Sequence, residues 1–112
     1  FSMGNEIADL NNDLWPDVLT LDMLPRDEAV IKASAGEDTY EVYRFKQSLG
    51  FGKQVSRNSF QLNRGNVDSG RLLFSDIAQL GNIEATDWSW CPLAVDFDGD
   101  GLKDVFISNG IV

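Results

Sequence analysis

The sequence predicts a mainly β fold of antiparallel strands with one short inserted helix. Three observations lead there. The stretch "DFDGDGLKDVFISNG" places Asp96, Asp98, Asp100 and Asp104 on a short loop that runs into β-branched and aromatic residues. The stretch "ADLNNDLWPDVLTLD" repeats that pattern, with Asp9, Asn11, Asp13 and Asp17 at the same positions 1, 3, 5 and 9, at an offset of 87 residues from Asp9 to Asp96. Between them, "SFQLNRG" and "RLLFSDI" read as two strands of a hairpin.

Taken in order, the apolar "EIA" precedes the first loop and "VLTLD" follows it, so the loop joins two strands. Residues 26–57 lack strand alternation. In "EDTYEVYRFKQSLGFGK", Val42, Phe45 and Leu49 recur at three- and four-residue spacing, which predicts a helix over 39–49. Asp38 or Thr39 is placed to cap it and Gly50 to end it. Its apolar stripe is expected to seat on the neighbouring sheet, the alternative being that Tyr40, Tyr43 and Phe51 face a ligand. In "DWSWCPLAV", period-two alternation puts Trp88 and Trp90 on one strand face, to fill the space between sheets or to stack on sugar rings. Cys91, in that apolar stretch, is expected as a buried small hydrophobe.

The loop spacing has a chemical rationale. Oxygens at positions 1, 3 and 5, a backbone carbonyl at 7 and a carboxylate at 9 can enclose one hard cation. Calcium takes six to eight oxygens at about 2.3–2.6 Å in flexible geometry, whereas magnesium demands a stricter octahedron. The candidate ligands are Asp9, Asn11, Asp13, the Trp15 carbonyl and Asp17 in one loop, and Asp96, Asp98, Asp100, the Leu102 carbonyl and Asp104 in the other. Position 12 is Thr20 or Ile107 where an EF-hand needs glutamate, and strand formers follow, so neither loop is an EF-hand. A dockerin-like pair is disfavoured for the same lack of helices after the loops. Gly101 supplies the sharp turn at position 6, where the first loop has Leu14. The 9–17 loop is therefore expected to bind more weakly than 96–104, or to differ in backbone.

Composition narrows the function. The 112 residues carry 18 acidic and 9 basic side chains, a net charge of −9, which argues against nucleic acid and anionic membranes as partners. There is no histidine, no nucleophile–base pair and no phosphate loop, so catalysis is not expected. No apolar run is long enough for a transmembrane helix.

Strand, "DxDxDGxxD" loop and strand together resemble the FG-GAP/VCBS repeat, a β-propeller blade motif also found in integrin α-subunit heads. "GNEIADLNND…PDVLTLDMLP", "NSFQLNRG", "FSDIAQLGNI" and "TDWSWCPLAVDFDGDGLKDVFISNG" are similar to segments of large VCBS-repeat proteins exported by Bacteroidetes-type bacteria. The resemblance implies calcium-stabilised propeller blades, non-catalytic and extracytoplasmic, either secreted or on a bacterial cell surface. It implies a partial blade over 1–25, an insertion over 26–57 and further blade strands over 58–112, the whole being a section of a larger propeller. The implied partners are other blades or neighbouring subunits, and a protein or glycan ligand. The alternative reading is a carbohydrate-binding surface protein that captures glycans through Trp88, Trp90, Tyr40 and Tyr43.

Overall fold

A computed structural model describes residues 2–33, 39–52, 55–67 and 70–110. The chain is mainly β. Strands β1 (Gly4–Ala8), β2 (Asp17–Leu21), β3 (Ser59–Val67) and β4 (Arg71–Asp76) form one antiparallel sheet in sequence order, and β5 (Ser89–Val95) with β6 (Asp104–Asn109) forms a second. Each predicted strand segment is present, and "SFQLNRG" pairs with "RLLFSDI" as a hairpin. Two β3 residues, Arg64 and Gly65, oppose Leu73 in a bulge between Asn63 and Asn66.

The repeat extends to strand register. In the first hairpin the partners run from Gly4↔Leu21 to Ala8↔Asp17; in the second they run from Cys91↔Ser108 to Val95↔Asp104. Every pair in the first recurs in the second at the same offset. The hairpins also touch, through β1 against β5. Gly4 is required there: a Cβ at that position would collide with the Trp90 carbonyl oxygen and press on the Pro92 ring.

The core sits on one face of β2. Its alternation buries Asp17, Leu19 and Leu21, and Ala78 and Ala85 from the segment after β4 are buried as well. Asn58 pins that segment. Its Oδ1 accepts the Asp22 N–H at 2.8 Å, and its Nδ2 donates to the Ile83 carbonyl at 2.8 Å and to Thr86 Oγ1 at 2.6 Å. Elsewhere the molecule is a plate of 46 × 40 × 20 Å. Its surface of 8061 Å² exceeds the about 6,100 Å² expected of a compact monomer of this mass. Leu72, Leu93 and Phe106 are among the apolar side chains left exposed.

The insertion holds two helices where the sequence predicted one: α1 (Glu28–Ala33) and α2 (Tyr40–Ser48). Thr39 occupies the N-cap position of α2 without a side-chain cap bond, and Asp38 lies outside the described residues. Gly50 ends α2 as expected: the Gly50 and Phe51 amides donate to the Gln47 and Lys46 carbonyls at 3.0 and 3.2 Å. The expected seating of the helix on the sheet is overturned. No described residue of α2 is buried, Phe45 is 63% exposed, and the helix meets none of the strands. The reason is topological. The insertion joins β2 to its antiparallel neighbour β3, so the chain leaves and returns on one side without crossing the sheet.

The shared tryptophan face is also overturned. Strand β5 starts only at Ser89, and Trp90 is the extra residue of a register break between Ser89 and Cys91, which cancels the period-two alternation. Cys91 is exposed rather than buried.

The equivalent residues Leu19 and Phe106 provide a test. Leu19→Ala should lower unfolding stability by about 2–5 kcal/mol because it leaves a cavity. Phe106→Ala, at a 56% exposed side chain, should cost less than half as much in the same urea titration.

Candidate metal centre

The two Asp-rich loops have one hydrogen-bond plan. The position-1 carboxylate accepts the main-chain N–H groups of positions 5 and 6. For Asp9 these are Asp13 at 3.0 Å and Leu14 at 2.9 Å; for Asp96 they are Asp100 at 3.1 Å and Gly101 at 2.9 Å. Position 3 accepts the N–H of position 5, at 3.2 Å from Asp13 to Asn11 and 3.1 Å from Asp100 to Asp98. Position 5 accepts that of position 7, at 2.8 Å both from Trp15 to Asp13 and from Leu102 to Asp100. Position 9 closes each loop by accepting the N–H of position 2, Leu10 on Asp17 at 3.0 Å and Phe97 on Asp104 at 3.1 Å. Short side chains at alternate positions are what allow this, since each carboxylate or amide reaches back to amides only a few residues away.

The backbone matches too. Asn12 and Leu14 have φ of 59° and 72°, and Gly99 and Gly101 have 77° and 89°. Leu14 therefore adopts the left-handed conformation that glycine takes in the second loop, at a cost of about 1–2 kcal/mol. Of the two expectations for loop one, a different backbone is excluded.

The loops differ in what their oxygens face. One carboxylate oxygen from each of Asp96, Asp98 and Asp104 lies within 4.8 Å of the others. Oxygens bound to one calcium at about 2.4 Å can be separated by up to about 5 Å, so this spacing fits a single ion. Asp100 is outside that group, with Oδ1 held by the Leu102 amide. In loop one Asn11 Nδ2 donates to Asp13 Oδ2 at 2.9 Å, satisfying internally an oxygen that loop two leaves to its surroundings. No comparable acidic group forms in loop one among the described residues. Trp15 and Leu102 are exposed at position 7.

Asp17 and Asp104 also differ. Asp17 is fully buried, and its second oxygen accepts the Asn63 N–H from β3 at 2.8 Å. A carboxylate oxygen with one amide donor keeps a lone pair for a cation, so these bonds are compatible with metal ligation. Asp104 is exposed.

The loops are joined to each other. Lys103 Nζ donates to the Asp9 carbonyl at 2.7 Å, and Asn12 Nδ2 donates to the Gly101 carbonyl at 2.9 Å. The sequence reading missed both links, and it missed Asn58 and Asn63 as organisers of β3. Lys103 left one signal, as the sole basic residue within either loop.

The other candidates are not gathered into one site. Trp90 is 47% exposed with its indole N–H on the Gly110 carbonyl at 2.7 Å, and Trp88 is half-buried. Tyr40 is 73% exposed, and the Tyr43 hydroxyl accepts from Gln47 Nε2 at 2.9 Å. Since α2 makes no contact with β5, Tyr40 and Tyr43 do not form a platform with Trp90. No protein family, curated protein or solved structure matches the chain.

The electrostatics of two carboxyls are shifted. The Gly101 amide, with those of Gly99 and Asp100, holds the Asp96 carboxyl below its ordinary value of 3.8 despite some desolvation. At Asp76 burial pushes upward, but the Arg57 guanidinium at 2.6 Å and the Ala78 and Phe60 amides outweigh it, so this carboxyl too is lowered. Their stabilisation is complete above the unfolded value near 3.8 and is lost as pH falls through the lower folded values. Chain stability should therefore drop on acidification below about pH 4, and Asp76→Asn should flatten that dependence in melts at graded pH. Gly101→Ala should destabilise by about 1 kcal/mol, while Leu14→Gly should leave stability unchanged or raised in thermal melts.

Proposed function

We propose that this chain is a calcium-binding structural and interaction section of an extracytoplasmic β-propeller of the FG-GAP/VCBS type, without catalytic activity. The observation that carries the reading is the duplication: two hairpins in identical register, each closed by an oxygen-rich loop with the same hydrogen-bond plan. A four-stranded meander in sequence order is the layout of one propeller blade, and the β5–β6 hairpin beside β1 corresponds to the start of the next.

Asp9, Asn11, Asp13, Asp17 and the Trp15 carbonyl would hold one calcium ion; Asp96, Asp98, Asp100, Asp104 and the Leu102 carbonyl would hold the other. Seven of the 18 acidic residues lie in these loops, so bound cations would offset their mutual repulsion. The 96–104 loop is the stronger site in this reading. It has four carboxylates against three, and no side-chain amide inside the loop satisfies its oxygens as Asn11 does in the other. Millimolar extracellular calcium suits weak exposed sites of about 10⁻⁴–10⁻³ M affinity. Glycan capture is the second reading, supported by the exposure of Trp90 and Tyr40 and weakened by the separation of β5 from α2.

Calorimetric titration of the chelator-stripped chain with calcium should show two unequal sites and a rise in melting temperature. Asp98→Asn should weaken the tighter one. Absence of both heat and melting shift would refute the calcium reading.

A further inference from the structure

The two loops share their turns, but the residues that join them fall where the copies differ. Asn12 stands at position 4, where the second loop has Gly99, and Lys103 at position 8, where the first has Pro16. Asn12 Nδ2 donates to the Gly101 carbonyl at 2.9 Å, and Lys103 Nζ donates to the Asp9 carbonyl at 2.7 Å. Among the described residues Lys103 forms no ion pair, although its loop carries four carboxylates. Its ammonium therefore ties the loops together without occupying a carboxylate oxygen.

The Asn12 bond falls on the peptide group just before the candidate ligand at position 7. From inside the loop, the Leu102 N–H of that peptide donates to Asp100 Oδ1 at 2.8 Å. Asn12 holds the carbonyl at its other end, so the rigid peptide plane from which the Leu102 carbonyl departs is fixed on both sides. In the first loop the matching peptide has only the inner bond, Trp15 N–H to Asp13 Oδ1, and no described donor reaches the Leu14 carbonyl. The difference has a reason. Leu14 restricts its own backbone, whereas Gly101 has no Cβ and leaves the following peptide free to turn. Asn12 holds a φ of 59°, which glycine would adopt as readily, but glycine has no side chain to reach Gly101.

We propose that Asn12 is a positioning residue for the 96–104 loop: the first repeat supplies the side chain that sets the backbone of the second repeat's metal site. The inference rests on the calcium reading for what the loop holds, and on the Asn12 and Asp100 bonds for how the loop is held.

The test uses the full chain and Asn12→Gly, which keeps the turn in the form that Gly99 takes. In chelator, exchange of the Leu102 amide should speed up several-fold, the scale of one lost hydrogen bond. In calcium calorimetry the tighter site, the one that Asp98→Asn weakens, should lose several-fold in affinity while the weaker site is unchanged. Asn12→Asp keeps the side chain's shape, removes the donor and adds a charge. It should also weaken the tighter site, whereas a charge effect alone would strengthen it. Unchanged Leu102 exchange, a loss confined to the weaker site or equal at both, or tighter binding by Asn12→Asp overturns the proposal. A wild-type chain that gives no heat with calcium removes the calcium reading, and faster Leu102 exchange in Asn12→Gly would then still uphold the positioning of the loop.

Discussion

Among the described residues Asp17 is the one charged side chain with no exposed surface, and each of its oxygens accepts a main-chain amide. The Leu10 amide closes the loop, and the Asn63 amide attaches β3 to the hairpin. A buried carboxylate without such donors would cost several kcal/mol, so the burial of Asp17 under the third strand depends on both amides. Asn63 extends the arrangement, since its Nδ2 reaches the Pro16 carbonyl at 3.1 Å and its Oδ1 accepts the Gly65 amide at 3.0 Å, just where β3 bulges.

The second hairpin isolates the effect of that third strand. Register, loop turns and position-9 closure are the same in both copies, yet the first is buried where the second is exposed. Local sequence therefore builds the hairpin and its loop, while burial of the position-9 aspartate depends on a neighbouring strand. The contacts of Lys103 with Asp9 and of Asn12 with Gly101 add a link between the copies. Each bond runs from a side chain of one loop to the main chain of the other.

The insertion and the aromatic residues follow a different logic. Helix α2 is amphipathic, but it lies within the β2–β3 connection and touches no strand, so its apolar stripe stays off the sheet. Trp90 stands at a register break that no alternation rule anticipates, and the Gly110 carbonyl fixes its indole N–H. Phe45 on α2 and Trp90 on β5 are left exposed.

Much of this architecture was legible in the sequence because it is encoded locally. Alternating short polar side chains dictate the loops, β-branched runs dictate the strands, and Gly50 dictates the end of α2. The candidate ligands could be named residue by residue for the same reason. What the tertiary structure decided depends on residues distant in sequence. It grouped Asp96, Asp98 and Asp104 while leaving Asp100 aside, buried Asp17 but exposed Asp104, and kept α2 off the sheet. It also joined the two loops through Lys103 and Asn12. Backbone turns follow from neighbours along the chain, whereas burial and partnering follow from which strand arrives alongside, and only folding brings that strand into place.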